Sequence, residues 1–373
     1  MHTKSARRDF IRLPSRIYRN DPAFIPRLEM EMRELISPKN PFFLHAQHQL
    51  FVAYENGEPV GRISAQIDAL AQHDDTPMTA CKIGHFGFID AARAELVAPL
   101  LAAAENWLRS HGVTRVMGPF SFSINQESGL LVEGFDTPPF LLMNHAPAWL
   151  AGAVNAAGYD KVKDLIAFRM DATGPFPPSA QRLAQQAQSV AGLTLRPLDK
   201  KKFFEDVSSV LTIYNEAWRD NWGFVALTAE EIHCSAKNLK PLVIPELVYI
   251  AEINGEPAAM ILALPNAMEA MRDLRGKLLP FGWLKLLTRL KISGLHSARV
   301  MCMGIRPQFR TGFMSATLSA LLIYQLRQAC VARQIHDIEM SWILEDNMPM
   351  IRLIEAVGGK AYKRYRLYTR DIA

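Results

Sequence analysis

A stretch rich in glycine, proline and polar residues runs from Gly118 to His145, GPFSFSINQESGLLVEGFDTPPFLLMNH, and it holds the strongest candidates for chemistry. Loops of this length in compact domains are often functional. Glu127 and His145 are side-chain types that proteins use as general bases and proton shuttles, and Asn125 can orient or bind a substrate. In a structural alternative, Asn125 and Glu127 cap a turn and His145 is a buried, hydrogen-bonded imidazole. For the stretch as a whole we favour acid–base chemistry, with these three residues as catalytic candidates.

Two histidines upstream, His45 and His48, have a spacing that is also found in metal sites. No cysteine or acidic residue lies near them in the sequence, so a metal is the weaker interpretation and none is expected. His45 follows two phenylalanines directly before an apolar strand. We therefore expect His45 to line a substrate pocket, together with Asn144.

In the second half of the chain, an apolar strand leads through an arginine into a long predicted helix. Free N–H groups at a helix N-terminus, with an arginine nearby, form a ready site for an anion. A second helix begins at Asn347, a natural N-cap, with Pro349 in its first turn and Gly358 at its end. The residues expected to bind an anionic cofactor are Ile305, Arg310, Thr311, Gly312, Phe313 and Asn347.

The segment 275–292, RGKLLPFGWLKLLTRLKI, interleaves lysine and arginine with leucine, phenylalanine and tryptophan. This pattern is typical of an amphipathic segment at a membrane surface. The alternative is a helix that packs on its own domain and leaves its cations in solvent.

The chain repeats itself. The tetrapeptide Asn-Gly-Glu-Pro occurs at Asn56–Pro59 and again at Asn254–Pro257, each time between two β-rich runs. Asn-Gly is a strong signal for a hairpin turn, because both residues tolerate a positive φ. The same order of elements follows each hairpin, which predicts a duplicated α/β domain.

We place the boundary in the linker Gly174–Pro178, which gives domains 1–172 and 173–373. The elements predicted after the first hairpin (50–68) are a strand 84–89, a helix 94–110, a strand 114–118, a helix 148–157 and a hairpin 161–171. After the second hairpin (247–264) they are a strand 299–305, a helix 314–333, a strand 337–344, a helix 348–357 and a strand pair 360–369.

Composition sets the broad class. A chain of 373 residues, 49% hydrophobic, can bury two cores, and its net charge of +5 favours anionic partners but is too dispersed for nucleic acid. Four distant cysteines (Cys81, Cys234, Cys302, Cys330), no signal peptide and no long apolar run predict a cytoplasmic protein with mostly buried thiols. A peripheral position on the inner face of the cell membrane is the further expectation.

The residues from Met303 to Ser315, MGIRPQFRTGFMS, resemble the phosphate-binding motif of the GNAT (Gcn5-related N-acetyltransferase) family. This resemblance implies two tandem GNAT-like domains, each a mixed twisted sheet flanked by helices, with CoA phosphates at the helix start. The sequence departs from the motif, because the later glycines fall on Phe313 and Ser315. The tyrosine that many GNAT enzymes use to protonate the leaving thiolate falls on Ile354. The first repeat has no glycine in the corresponding stretch, 90–94.

The whole chain is similar to the GNAT-like bacterial ceramide synthases, through 40–46 (NPFFLHA), the first hairpin, 118–120 and 134–139, and 341–347 (SWILEDN). This resemblance implies an acyl-CoA-dependent N-acyltransferase that joins a long acyl chain to the amine of a sphingoid base. Two alternatives stay open: a non-catalytic acyl-CoA-binding or regulatory protein, and a tandem enzyme that acts on a soluble amine. No G-x-S-x-G elbow, P-loop or dinucleotide fingerprint occurs, which disfavours hydrolases, ATPases and dehydrogenases.

Overall fold

The computed structural model describes residues 3–72 and 82–372, so Cys81 lies outside the described residues. It divides into two compact units. Unit 1 contains Met1–Ile166, Met271–Trp283 and Lys363–Ala373, and unit 2 contains Ala167–Ala270 and Leu284–Tyr362.

Two helices precede the elements of the first repeat, and one more helix follows the last strand of that repeat. The elements are α1 (Lys4–Ile17), α2 (Glu29–Leu35), β1 (Ala46–Glu55), β2 (Glu58–Asp68), β3 (Ile83–Ala91), α3 (Val97–Ser110), β4 (Arg115–Gly118), β5 (Leu130–Glu133), α4 (Trp149–Ala156), β6 (Asp160–Asp171) and α5 (Pro178–Gln186).

The second repeat has the same order of elements, except that β5 has no counterpart within residues 193–371. A strand and two helices precede this repeat, and two further helices lie within it. The elements are β7 (Leu193–Pro197), α6 (Phe203–Trp218), α7 (Ala229–Leu239), β8 (Val248–Ile253), β9 (Glu256–Pro265), α8 (Ala267–Met271), α9 (Gly282–Thr288), β10 (Ser297–Ile305), α10 (Gly312–Ala332), β11 (Asp337–Leu344), α11 (Met348–Ala356) and β12 (Lys360–Asp371).

Both predicted hairpins are confirmed, as β1–β2 and β8–β9. Asn56 and Gly57 have φ of 51° and 81°, and Asn254 and Gly255 have 53° and 81°. A two-residue turn with positive φ at both positions matches the twist of the strands it joins, and Asn-Gly adopts it at low cost.

Unit 1 has the strand order β1-β2-β3-β4-β12, with β5 also paired to β12. The β3–β4 pair is parallel, whereas β1–β2, β2–β3, β4–β12 and β5–β12 are antiparallel. An aromatic core that includes Phe10, Phe42, Phe88 and Phe122 packs α1 and the loop after β4 onto this sheet.

Unit 2 has the strand order β11-β10-β9-β8-β7, and the end of β6 lies beside β11. The β10–β11 pair is parallel. Val210 and Ile213 of α6 pack against Ile250 of β8 and Met260 of β9, which forms the core on one face of the sheet.

The strands at the ends of the two repeats differ from expectation. The predicted hairpin at 161–171 and the predicted strand pair at 360–369 are wrong, since each region is one continuous strand, β6 or β12. The repeats also exchange these strands: in unit 1, Tyr368 of β12 is paired with Gly118 of β4. In unit 2, Arg169 of β6 forms an ion pair with Asp337 of β11 at 2.6 Å. The compact units therefore differ from the sequence ranges 1–172 and 173–373.

Candidate functional site

In unit 1, the chain after β4 lies directly against β3. The parallel pair β3–β4 extends only from Ile83↔Arg115 to His85↔Met117. Immediately beyond it, the Phe120 N–H donates to the carbonyl oxygen of Phe86 at 2.8 Å. Gly87 makes this approach possible, because a Cβ at this position would lie 1.7 Å from the Phe120 oxygen. The segment 119–129 therefore occupies the position where the two strands part.

Buried polar and aromatic contacts hold this segment in place. The Gln66 side chain donates to the carbonyl oxygens of Phe120, at 2.9 Å, and Phe122, at 3.3 Å. The ring of Phe122 packs on those of Phe42 and Phe88, with centroids 5.5 and 5.0 Å apart. Because these partners belong to β2, β3 and a 3-10 turn before β1, the loop has a fixed position and so do the side chains it carries.

Glu127 lies in this loop and is only 9% exposed. Its carboxylate accepts from the Arg27 guanidinium at 3.1 Å and lies 3.5 Å from the Ser121 hydroxyl. Arg27 also pairs with Glu31, so the cation is shared between two carboxylates. Burial raises the pKa of Glu127, and the charge of Arg27 opposes that rise. A buried carboxylate with a raised pKa beside one cation has the properties of a general base.

A second buried cluster belongs to the same unit. The Arg62 guanidinium donates to Asp90 at 2.7 Å and to the Phe10 carbonyl oxygen at 2.8 Å. The hydroxyl of Tyr18 donates to the other oxygen of Asp90 at 2.8 Å. Burial, with a further contribution from the Asp90 charge, raises the pKa of Tyr18 well above its usual value. Tyr18 therefore stays protonated and acts as a donor.

His145 pairs with a carboxylate that the sequence did not suggest. Its Nε2 lies 2.7 Å from Asp21 Oδ2, and its ring lies beside those of Tyr18 and Phe24, with centroids 6.4 and 6.0 Å away. Burial acts to raise the pKa of Asp21, but the hydrogen bonds from His145 and from the Ala23 N–H outweigh it and lower the pKa. The ionised Asp21 fixes His145 with its proton on Nε2. Nδ1 is buried and has no hydrogen-bond partner among the described residues.

The other candidates of unit 1 have local partners. Asn144 donates to the Gly129 carbonyl oxygen at 2.8 Å, which braces the loop that carries Glu127. Asn125 is partly buried within the loop, and its N–H donates to Ser123 at 3.2 Å. His45 Nδ1 lies 2.8 Å from Asp68, a partner 23 residues away that the sequence did not indicate. The ring of His48 stacks on the ring of Phe43, with centroids 3.9 Å apart.

In unit 2, the corresponding parallel strands part without a loop of this kind. The paired register of β10 and β11 ends at Val300↔Met340, while β10 continues to Ile305 and β11 to Leu344. The helix after β10 begins at Gly312, and its N-cap, Thr311, makes no side-chain capping hydrogen bond. Thr311, Gly312 and Phe313 are all exposed. The first amides of α10 are therefore available to an anion.

The other residues that were predicted to bind the cofactor make contacts within the protein or are buried. Arg310 is exposed, but its guanidinium donates to the carbonyl oxygens of Ile305 and Ala217 and so braces the approach to α10. Asn347 is the expected N-cap of α11, accepting from the Met350 N–H at 3.2 Å. Ile305 and Ile354 are buried.

The residues of these clusters that were not predicted from the sequence include Tyr18, Asp21, Arg27, Arg62 and Asp90. The first three lie between α1 and α2, in a region to which no element was assigned. The signal there is Asp21-Pro22 followed by Pro26-Arg27, charged residues held next to prolines before an acidic helix.

Three further expectations concern thiols, metals and membrane spans. Burial raises the pKa of Cys302 and of Cys330 to about 12, while Cys234 is half-buried. Within residues 3–72 and 82–372, no group of three or more His, Cys, Asp or Glu side chains is placed to hold a metal ion. No helix in these same ranges is long and apolar enough to cross a bilayer.

Comparison with solved structures defines the class. A tandem GNAT protein from the clavulanic acid biosynthesis pathway superposes with a TM-score of 0.53 at 15% identity, covering 99% of this chain and 96% of that one. A GCN5-related N-acetyltransferase from Sphaerobacter thermophilus gives 0.53 at 14% identity, covering 99% and 93%. The fold is that of a tandem GNAT protein, as the sequence predicted.

The sequence comparison identifies the family. No model of a known protein family matches the chain. The bacterial ceramide synthase of Caulobacter vibrioides (strain NA1000 / CB15N) is 44% identical over 365 residues, which is 97% of this chain and 94% of that protein. Protein YghO of Escherichia coli (strain K12) is also 44% identical, over 97% of this chain and 92% of that one. The chain belongs to the family of these two proteins.

Proposed function

We propose that the protein is an acyl-CoA-dependent N-acyltransferase that acylates the amine of a sphingoid base and so forms a ceramide-type amide. The observation that carries this proposal is the 44% identity to a bacterial ceramide synthase over 97% of the chain. The tandem GNAT fold supports it, since it is shared with N-acetyltransferases.

The cofactor is acyl-CoA, bound as a co-substrate in unit 2. The exposed amides of Thr311–Phe313 and the nearby Arg310 supply the anion-binding groups for its phosphates. The divergence of β10 and β11 after Val300↔Met340 leaves strand edges available to its pantetheine arm. In unit 1, the segment that carries Glu127 takes the equivalent position.

Glu127 acts as the general base. The amine nitrogen attacks the thioester carbonyl carbon, a C–N bond forms as the C–S bond breaks, Glu127 takes the amine proton, and the thiolate leaves to be protonated by solvent. Because burial raises its pKa, Glu127 is a stronger base than an exposed glutamate. His145, held by Asp21, and Asn125 serve as the second catalytic group and the orienting group. His45 and Asn144 lie on the acceptor side.

The segment 275–292 contacts an anionic membrane surface, where a long-chain amine resides. Leu279 is 79% and Ile292 80% exposed. Phe281, Trp283 and Leu287 are also exposed, as are Lys277, Lys285 and Lys291. The helical part comprises α9, Gly282–Thr288, and the π-helical turn Arg289–Ser293 that follows it. Exposed apolar side chains interleaved with cations are the arrangement expected at a bilayer surface. This contact supports the proposal that the protein is cytoplasmic and attached peripherally to the inner face of the membrane.

The test is a competition between acetyl-CoA and palmitoyl-CoA with sphinganine or its 3-keto precursor as acceptor, read by mass spectrometry. Each buried methylene contributes about 0.8 kcal/mol, so a site built for a long chain strongly prefers palmitoyl-CoA. The expected product is the palmitoyl amide. Preference for acetyl-CoA, or acylation of a soluble amine alone, would contradict the sphingoid assignment. Binding of acyl-CoA without any amide would instead favour a regulatory protein.

A further inference from the structure

Unit 2 contains a cavity of about 390 Å³ that no step of the proposed reaction uses. Its walls are the loop 241–246, the segment 290–295, the end of β9 at Pro265, and Arg333 and Ile335 just after α10. These walls lie before β10 begins and after α10 ends, whereas the anion-binding amides lie at the opposite ends of both elements. Helix α10 has 21 residues, which spans about 30 Å at 1.5 Å per residue. The cavity is therefore a separate site from the CoA cradle.

The charges that line the cavity select an anion. The lining contains three cations, Lys200, Lys291 and Arg333, and one carboxylate, Glu246, which pairs with Arg333 at 2.8 Å. Lys200 and Lys291 form no ion pair within the described part of the chain. A concave wall with an excess of cations concentrates a positive potential and attracts negative ligands.

Most of the other side chains that line the cavity are apolar, and this composition bears on the kind of anion it would take. Leu242, Val243, Ile244, Leu290 and Leu295 line the cavity. Ile292, at its rim, is 80% exposed, and Leu284 and Leu287 of α9, a few residues earlier, are half exposed. A free phosphate ion gains nothing from contact with apolar side chains. A ligand with an anionic head and an apolar tail contacts both the cations and the apolar side chains of the cavity.

We infer that this cavity binds the phosphate headgroup of one anionic phospholipid, with its glycerol backbone and the start of its acyl chains against the apolar rim. The inference rests on the proposed membrane contact and deepens it. Non-specific attraction by the exposed segment brings the protein to the surface, and occupation of the cavity seats unit 2 there in one orientation.

The experiment uses the full chain and dihexanoyl phosphatidylglycerol below its critical micelle concentration, titrated by calorimetry. The test variant is Lys200→Glu/Lys291→Glu, and the matched control is Lys201→Glu/Lys237→Glu, which makes the same charge change at exposed lysines that do not line the cavity. We expect the test variant to bind the lipid about tenfold more weakly or worse, because hydrogen bonds to charged groups are lost, and the control to bind as the wild type does. Palmitoyl-CoA binding should be the same in all three proteins.

Three results would overturn the site: equal lipid binding by the test variant and the control, equal binding of dihexanoyl phosphatidylcholine, or binding of inorganic phosphate as tight as that of the lipid. The last result would identify a simple phosphate site. Vesicles of phosphatidylcholine with phosphatidylglycerol measure the membrane contact separately. A wild-type protein that stays off such vesicles yet binds the monomeric lipid contradicts the membrane contact while supporting the cavity site.

Discussion

The two units use the same pair of parallel strands in different ways. In unit 1 the chain after β4 hydrogen-bonds to Phe86 as the strands part and brings Glu127 into a buried position beside Arg27. In unit 2 the strands β10 and β11 diverge, and the helix that follows β10 begins with an uncapped N-terminus. One unit presents acid–base groups and the other presents groups suited to phosphates.

The helix starts differ in the same sense. Before α3, a 3-10 turn at Ala94–Leu96 follows Arg93, which pairs with Glu55 at 2.6 Å and lies 3.7 Å from Glu95. Its positive charge is thus already matched by carboxylates. Before α10, a 3-10 turn at Pro307–Phe309 likewise follows an arginine, Arg306, which pairs with Glu216 and Glu256. The difference is a second arginine, Arg310, which binds backbone carbonyl oxygens, and within residues 3–72 and 82–372 no carboxylate pairs with it. After a duplication, each copy can lose the part that the other retains, and the differences between these units fit such a division.

The largest expected effect follows from the chemistry assigned to unit 1. Glu127→Gln should lower kcat by about 10²- to 10⁴-fold, the usual contribution of a general base, while circular dichroism reports an intact fold. Glu31→Gln is the matched control, since Glu31 shares Arg27 but is more exposed. It should retain most of the activity.

The pH profile sharpens this assignment. A base works only when deprotonated, so a raised pKa moves the acid-side fall in kcat to a pH above the ordinary glutamate value of 4.5. An active Glu127→Gln enzyme with an unchanged pH profile would remove Glu127 from the mechanism and direct attention to the His145–Asp21 pair.

Much of this architecture was accessible from the sequence, and the reasons for the misses are physical. The Asn-Gly turns and the Asn347 cap were predictable because local backbone preferences decide them. The exchange of β6 and β12 was not, because alternation along a strand does not reveal which strand lies beside it. Likewise, the partners Asp21 of His145 and Arg27 of Glu127 lie far away in sequence, and only the fold brings them together.

Two glycine substitutions test the difference between the two units at the point where their parallel strands part. In unit 1 the segment 119–129 lies there, whereas unit 2 has no such segment among its described residues. Gly87→Ala should lower the free energy of unfolding by about 3 kcal/mol, because the new Cβ would meet backbone atoms of Phe120 that have little freedom to move. At Gly312 the Cβ of an alanine would point into open space, with no tertiary contact within 4 Å. Gly312→Ala should therefore be neutral or stabilising by up to about 1 kcal/mol. Chemical denaturation of both variants measures the difference, and equal stabilities would mean that the segment 119–129 does not lie against β3.

The smallest of these effects concerns the cofactor end of unit 2. Arg310→Ala should weaken acyl-CoA binding by about 1–3 kcal/mol, the range for a lost charged hydrogen bond, and change kcat little. The same substitution also removes the hydrogen bonds to Ile305 and Ala217, so the free energy of unfolding without ligand is measured in parallel. Arg310→Lys separates the two roles, because it keeps the charge and loses the pair of hydrogen bonds that the guanidinium donates to the backbone. If the charge holds the phosphates, the lysine variant binds acyl-CoA nearly as well as the wild type does. If the backbone hydrogen bonds of Arg310 shape the anion-binding site, the lysine and alanine variants bind acyl-CoA equally weakly. Unchanged binding in the alanine variant would place the CoA phosphates elsewhere and end the assignment of the cofactor to unit 2.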